Sequence, residues 1–264
     1  MRTDDVLGLA LELADVADRL TLGAFRRDPE VRRKADGSEV TETDIAVELA
    51  LRERIIGAFP DHRVVGEEGG WGGEDATGAF DPEAPVWTID PIDGTTNFVK
   101  GNPIYATLIA CSSGNRDIVG VVSAPALGSR WDGVMGEGAR QDGHAIRVSA
   151  VGRLADAEVS VGAFSDIEDR VPGLLGHLAG VTARQRGYGD FWAYCLLASG
   201  STDAVVEARL NPWDLAAVRA VVEAAGGRVT DFDGIGRSDG GSAVATNGLL
   251  HDELLGAIAE RRPV

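Results

Sequence analysis

Cysteine is scarce in this sequence: Cys111 and Cys195 are the only two in 264 residues, each inside an apolar stretch and without C-x-x-C spacing. That excludes a disulfide framework and reads as two reduced, buried thiols. Basic residues are short as well, with 25 Lys and Arg against 42 Asp and Glu and a formal net charge of −17. Such a surface repels nucleic acid and anionic membranes, so neither is expected as a partner. No apolar run nears the ~18 residues of a membrane span. Met1-Arg2-Thr3-Asp4-Asp5 carries acids where a signal peptide carries positive charge, and a cytoplasmic protein is expected. His62, His144, His177 and His251 show no H-E-x-x-H clustering; they read as surface or loop residues rather than zinc ligands. The P-loop pattern G-x-x-x-x-G-K-[ST] is missing too, which leaves NTP hydrolysis of that kind without a basis.

What is present is an ordinary globular composition with many turns: 44% hydrophobic residues and 35 glycines. A chain of this length can bury roughly 75% of the surface it exposes unfolded. Between Asp4 and Phe25, the residues Val6, Leu9, Leu13, Val16 and Leu20 recur at helical spacing, with Thr3 or Asp4 available as a cap. A second helix is expected from Thr41 or Thr43, with Ile45, Leu49, Leu51, Ile55 and Ile56 on one side and Pro60 as its stop. Short β-rich runs follow at 64–65, 86–89, 105–111, 118–124 and 130–135, which read as a largely antiparallel sheet. Beyond Leu154 strands at 159–161, 204–206 and 244–245 alternate with helices within 167–178 and at 191–198, 215–225 and 251–262, an α/β texture. With no repeat or linker, residues 1–150 and 151–264 read as two halves of one unit. The Gly- and acid-rich stretch 69–83 reads as a surface loop.

Three acidic clusters each end an apolar run: Glu67-Glu68, Asp90-Pro91-Ile92-Asp93, and Trp213-Asp214. Strand ends deliver side chains to one rim of a sheet, and hard cations such as Mg²⁺ take one or two carboxylates each together with water and phosphate. Glu67, Asp90, Asp93 and Asp214 would serve two or three ions. If a helix starts at Gly94, the N–H groups of Gly94 and Thr95 face a phosphate. Each cluster alone has a plainer reading: a solvated turn for Glu67-Glu68, a hairpin turn for Asp93-Gly94, a helix cap for Trp213-Asp214.

Together, Gly66-Glu67-Glu68, Trp87-Thr88-Ile89-Asp90-Pro91-Ile92-Asp93-Gly94-Thr95-Thr96-Asn97-Phe98 and Trp213-Asp214-Leu215-Ala216-Ala217 resemble the three signatures of the inositol monophosphatase-type, lithium-sensitive, Mg²⁺-dependent phosphatases. The resemblance runs from Val40-Thr41-Glu42-Thr43-Asp44 to Ala245-Thr246-Asn247-Gly248. It implies an αβαβα layered sandwich, a homodimer, and two or three Mg²⁺ per site, with Mn²⁺ a substitute. Glu67, Asp90 and the Ile92 carbonyl would hold the first ion and Asp90, Asp93 and Asp214 the second. Gly94 and Thr95 would bind phosphate, and a metal-activated water near Glu67 and Thr95, with Asp44 bonded to Thr95, would attack directly.

The leaving group is expected to be read by Asp190, Glu207 and Asp214. Asp190 stands where inositol phosphatases carry a small residue, and an added carboxylate there points to a cationic substrate; its plainer reading is a cap before Phe191. Together with Val122-Ser123-Ala124-Pro125, Gly187-Tyr188-Gly189-Asp190-Phe191 and Gly241-Ser242-Ala243-Val244, this resembles the family's histidinol-phosphate phosphatases. Hydrolysis of L-histidinol phosphate in histidine biosynthesis is therefore expected. The alternatives are an inositol-1-phosphate, sugar or cyclitol phosphatase and a non-catalytic metal-binding regulator. A 3′-phosphoadenosine phosphatase is disfavoured, because the sequence shows no insertion or basic patch suited to a nucleotide with two phosphate sites. Lys34, in Lys34-Ala35-Asp36-Gly37, matches a family position near the site but reads as a loop charge and stays outside the catalytic set.

Overall fold

The first element is helix α1 (Thr3–Ala24), and its buried stripe is Val6, Ala10, Leu13, Ala14, Ala17 and Thr21. Alanine at three of these positions lets the neighbouring helix approach closely, and Leu20, expected inside, is instead 37% exposed. Arg2 rather than Thr3 or Asp4 is the N-cap, without a side-chain bond. Asp4 and Asp5 lie in the first turn, where the helix dipole favours them. The computed structural model describes residues 2–27, 30–34, 37, 39–71, 84–114 and 116–263. Most of the expected 69–83 loop, residues 72–83, lies outside the described residues.

A small hairpin not anticipated from sequence, β1 (Val31–Arg33) and β2 (Glu39–Thr41), leads into α2 (Glu42–Ala58). Thr41 caps α2 through Thr43 N at 3.2 Å, while Asp44 accepts from Thr41 N at 2.9 Å, a reciprocal capping box. Its inward face carries Asp44, Val47, Glu48, Leu51 and Ile55. Ile45, Leu49 and Ile56, expected on that face, are exposed. The true stripe includes two acids, which a search for apolar periodicity passes over.

The main sheet is built from β3 (Arg63–Gly66), β4 (Gly70–Trp71), β5 (Val86–Asp93), and, after the short helix α3 (Thr95–Val99), β6 (Ala106–Ser113), β7 (Arg116–Ala124), β8 (Ser129–Val134), β9 (Gly138–Gln141) and β10 (His144–Ile146). Its order is β10-β9-β8-β7-β6-β5-β3-β4, and every pairing is antiparallel except β3 with β5. After it come β11 (Glu158–Val161), α4 (Phe164–Arg170), α5 (Leu174–Val181), β12 (Arg184–Arg186), α6 (Asp190–Ala198), β13 (Ala204–Glu207), α7 (Pro212–Ala224), β14 (Arg228–Thr230), β15 (Ala243–Thr246) and α8 (His251–Ala259). The single helix expected within 167–178 is two, parted at Gly173, which adopts a left-handed φ of 78°. The second sheet runs β12-β11-β13-β15-β14.

Strand alternation sorts these elements into five layers. Ile109, Cys111, Val119 and Val121 face α1 and α2, while Leu108, Ala110, Val122 and Ala124 face α6 and α7. On the second sheet Val205, Ala243 and Ala245 face that same middle helix layer, and Ala204, Val206 and Val244 face α4, α5 and α8. The result is an αβαβα sandwich. Helix α7, in the middle, is buried on all sides from Leu215 to Val222. Gly120 permits that closeness: a Cβ there would lie 2.3 Å from the Ala217 carbonyl oxygen.

His251 corrects one expectation. It is fully buried at the start of α8, its ring between the hydroxyls of Thr230 at 3.0 Å and Thr246 at 3.1 Å. Both cysteines are buried as expected.

Candidate active site

Strand β5 ends in an irregularity that creates the centre of the site. Asp90 pairs with Leu108 and Asp93 with Ala106, so three steps on β5 face two on β6. In a regular strand, residues three apart point to opposite faces; the extra residue at Pro91-Ile92 turns both carboxylates to the same side. Proline is suited to such a break because it has no ladder N–H to lose. Thr107 Oγ1 donates to the Pro91 carbonyl at 2.8 Å and the Ile92 N–H donates to Asp90 Oδ1 at 3.0 Å, fixing the kink from both directions. Asp214, third residue of α7, joins the pair, and one carboxylate oxygen from each of Asp90, Asp93 and Asp214 lies within 4.8 Å of the other two. Asp214 Oδ2 also accepts the Asn211 N–H at 2.6 Å, so the capping role and the site position belong to one residue.

Glu67 follows β3, beside β5. Its Oε1 receives the Lys34 ammonium at 2.7 Å, and Glu68 Oε1 receives the same ammonium at 2.7 Å. The turn itself is held from α2: Glu48 accepts the N–H groups of Glu68 at 2.7 Å and Gly69 at 2.9 Å, and the Arg52 guanidinium at 2.9 Å. Lys34 and Glu48 were not singled out as functional from sequence. Glu48 had a usable signal, since it lies one turn beyond Asp44 on the same helical face.

Gly94, with φ 81°, is the N-cap of α3. A side chain there would be strained, and its Cβ would sit 3.1 Å from the Ile104 carbonyl oxygen and 3.6 Å from Asp190 Oδ2. Thr95 Oγ1 lies 2.9 Å from the Ile92 carbonyl and 3.3 Å from Asp44 Oδ1. The Ile92 carbonyl keeps one lone pair after accepting from Thr95.

Asp190 starts α6 with a left-handed φ of 54°, Gly189 being the N-cap. Its side chain is exposed toward the cleft, and its N–H donates to Glu207 Oε1 at 3.3 Å. Glu207, at the end of β13, also accepts Tyr194 Oη at 2.7 Å. Asp93, Asp190, Glu207 and Asp214 line one cavity of about 200 Å³. The structure thus brings Asp90, Asp93 and Asp214 to one point, sets Glu67, Thr95 and Asp44 along one flank, and opens the other flank at Asp190 and Glu207.

The charge in this space is strongly unbalanced. Burial, then the neighbouring carboxylates of Glu67, Asp93 and Asp214, raise Asp90 well above the usual range. Asp93 is raised by burial and by Asp190 and Asp214. Burial lifts Asp214 to about 7 against the opposing bond from Asn211, and Glu207 to about 8 against the bond from Tyr194. Asp44 is also raised, by burial, with the Thr41 bonds opposing. Burial would lower the Lys34 ammonium, but its bonds to Glu67 and Glu68 outweigh that and raise it. Oxygen-only donors, converging carboxylates and an ammonium drawn onto Glu67 describe a place that divalent hard cations fit.

Known proteins resemble this chain over nearly its whole length. The model of the inositol monophosphatase family matches residues 3–262. A histidinol-phosphatase of Mycobacterium tuberculosis is 46% identical, the match covering 97% of this chain and 98% of that one. A histidinol-phosphatase of Streptomyces coelicolor is 43% identical with the same coverage. Among solved structures, the Thermotoga maritima IMPase superposes with a TM-score of 0.84 at 32% identity, covering 97% of both chains.

Proposed function

The chain belongs to the inositol monophosphatase family, and on that footing we propose that it is a Mg²⁺-dependent phosphoric monoester hydrolase acting on L-histidinol phosphate in histidine biosynthesis. One observation carries the hydrolase reading: Asp90, Asp93 and Asp214 place carboxylate oxygens within 4.8 Å of one another in a buried site that raises them all. Asp90, Asp93, Asp214, Glu67 and the Ile92 carbonyl would hold two or three Mg²⁺, Mn²⁺ being a substitute. Those ions supply positive charge against the phosphoryl group and acidify water.

The chain's own groups divide the remaining work. Thr95 Oγ1 lies 2.9 Å from the Ile92 carbonyl and 3.3 Å from Asp44, so rotation of its one O–H from the carbonyl to Asp44 would let the hydroxyl take a proton from a water seated by Thr95 and Glu67 as it passes its own to that buried carboxylate. The N–H groups at Gly94 and Thr95 face the phosphate. Asp190 and Glu207 read the leaving group, with Asp214 beside them. An aminoalcohol bearing an imidazole suits this flank, because its positive charge pairs with the Asp190 carboxylate and favours the ionised form of Glu207, which a neutral polyol does not do. The likeness to the two histidinol-phosphatases supports the same substrate.

The wider reading is a homodimeric, cytoplasmic enzyme whose halves, 1–150 and 151–264, act as one unit. A shared core supports the last point, since Leu108 and Val122 of one sheet and Val205 and Ala245 of the other belong to one apolar cluster. Phosphate release from L-histidinol phosphate tests the function. It should stop on chelation with EDTA, return with Mg²⁺, and fall by ~100-fold or more in Asp90→Asn. Turnover that survives chelation would contradict it.

A further inference from the structure

Asp166 and Arg209 line the same cavity as Asp190 and Glu207, and neither belongs to the set derived so far. Asp166 is the third residue of α4, which follows β11; Arg209 lies two residues past Glu207 on the connection from β13 to α7. Parallel neighbours β11 and β13 therefore send both groups to one rim. Asp166 Oδ1 is 3.4 Å from Arg209 Nε, and Asp169 Oδ2 is 3.3 Å from Arg209 Nη2. The Asp166 side chain is 26% exposed and that of Arg209 62%. Arg209 is the one cation among the described residues that line this cavity, and two acids of α4 hold it.

Resting on the reading of the site as one for a cationic ester, we propose that Asp166 is a further specificity-determining residue: it pins and neutralises Arg209, so that the cavity presents net negative charge to the leaving group. Without Asp166, Arg209 keeps only Asp169, whose side chain is 66% exposed and does not line the cavity, and a guanidinium freed on the cavity side would act on the substrate in two ways. It would repel an incoming ammonium or imidazolium, and it would pair with the cleft-exposed carboxylate of Asp190 that the substrate needs. A solvent-exposed ion pair contributes little to stability, so the effect of breaking it falls on which ester is chosen rather than on folding.

The test is the ratio of kcat/KM for L-histidinol phosphate to that for myo-inositol 1-phosphate, measured at fixed Mg²⁺ for wild type, Asp166→Asn, Arg209→Gln and the double variant. Asp166→Asn should lower the ratio about tenfold. Arg209→Gln alone should raise it about threefold, and added to Asp166→Asn it should restore most of the loss, because the two residues act through one contact. A ratio unmoved by Asp166→Asn, with both esters falling alike, overturns the proposal, as does a fall that Arg209→Gln does not relieve. Should Asp166→Asn fail to fold, Arg209→Gln decides alone, and an unchanged or lowered ratio overturns it. The wild-type ratio tests the substrate reading separately: a value at or below one sinks that reading, while the shift between variants tests Asp166.

Discussion

The Phe191 N–H donates to Asp93 Oδ2 at 2.6 Å, tying the first turn of α6 to the acidic end of β5 across 98 residues of sequence. Asp190, one residue earlier, is thereby held against the acidic cluster, and the group proposed to read the leaving group shares a scaffold with one proposed to hold metal. Asparagine is the replacement to make at this position, because it tolerates the left-handed φ of 54° while removing the charge. Losing a charge-assisted contact of about 1.5–3 kcal/mol should lower the preference for L-histidinol phosphate over myo-inositol 1-phosphate by ~10–100-fold. Steady-state kinetics on both esters checks this, and equal losses would mark Asp190 as structural.

Glu48 should matter to activity although it does not face the cleavage centre. Its carboxylate holds the N–H groups of Glu68 and Gly69, and so sets where Glu67 points. Glu48→Ala should weaken Mg²⁺ binding and turnover by ~10–100-fold, the usual cost of losing a group that orients a metal ligand. Glu48→Gln, which keeps one acceptor oxygen, should lose less. Titration calorimetry with Mg²⁺ checks the ordering; equal behaviour of the two variants would contradict it.

His251 gives a pH signature on the acid side. Burial lowers its pKa to about 4 from an unfolded value near 6.5. The unfolded chain therefore binds a proton first, so this group's contribution is complete above pH 6.5 and is lost as pH falls from 6.5 toward 4. The loss reaches at most ~3 kcal/mol. Chemical denaturation of wild type and His251→Asn between pH 4 and 7 checks this: the variant should be less stable at pH 7, and the difference should narrow as the pH drops.

Arg219 is a buried cation of α7, 3.3 Å from both Asp117 and Glu223. Arg219→Ala should destabilise the fold by about 3–5 kcal/mol, because the buried Asp117 and the half-buried Glu223 are left without their cation. Arg219→Met with Asp117→Asn should recover part of that loss. Unfolding midpoints in urea check the order of the variants.

Much of the site was legible because its parts are local. The run from Trp87 to Phe98 contains a strand, a break and a tight turn, and the start of α2 near Thr41 follows from its helical spacing. What was not legible depends on contacts between distant segments. Lys34 reads as a loop charge until β3 brings Glu67 and Glu68 to 2.7 Å from it. Asp166 carries no sequence signal of its own, and only the side-by-side placement of β11 and β13 brings it to Arg209. The stripe of α1 was legible in part: Val6 and Leu13 are buried and Leu9 and Val16 pack against the core as expected, but the alanines that fit against α2 are weak in any hydrophobicity pattern. The hairpin of β1 and β2 is too short, at three residues per strand, to carry a period.

The most direct test of the central claim is kcat/KM of the wild-type enzyme for L-histidinol phosphate beside myo-inositol 1-phosphate and fructose 1,6-bisphosphate at one saturating Mg²⁺ concentration. The carboxylates at Asp190, Glu207 and Asp166 lead to a preference of tenfold or more for the cationic ester. A preference for either of the other two would contradict the assignment.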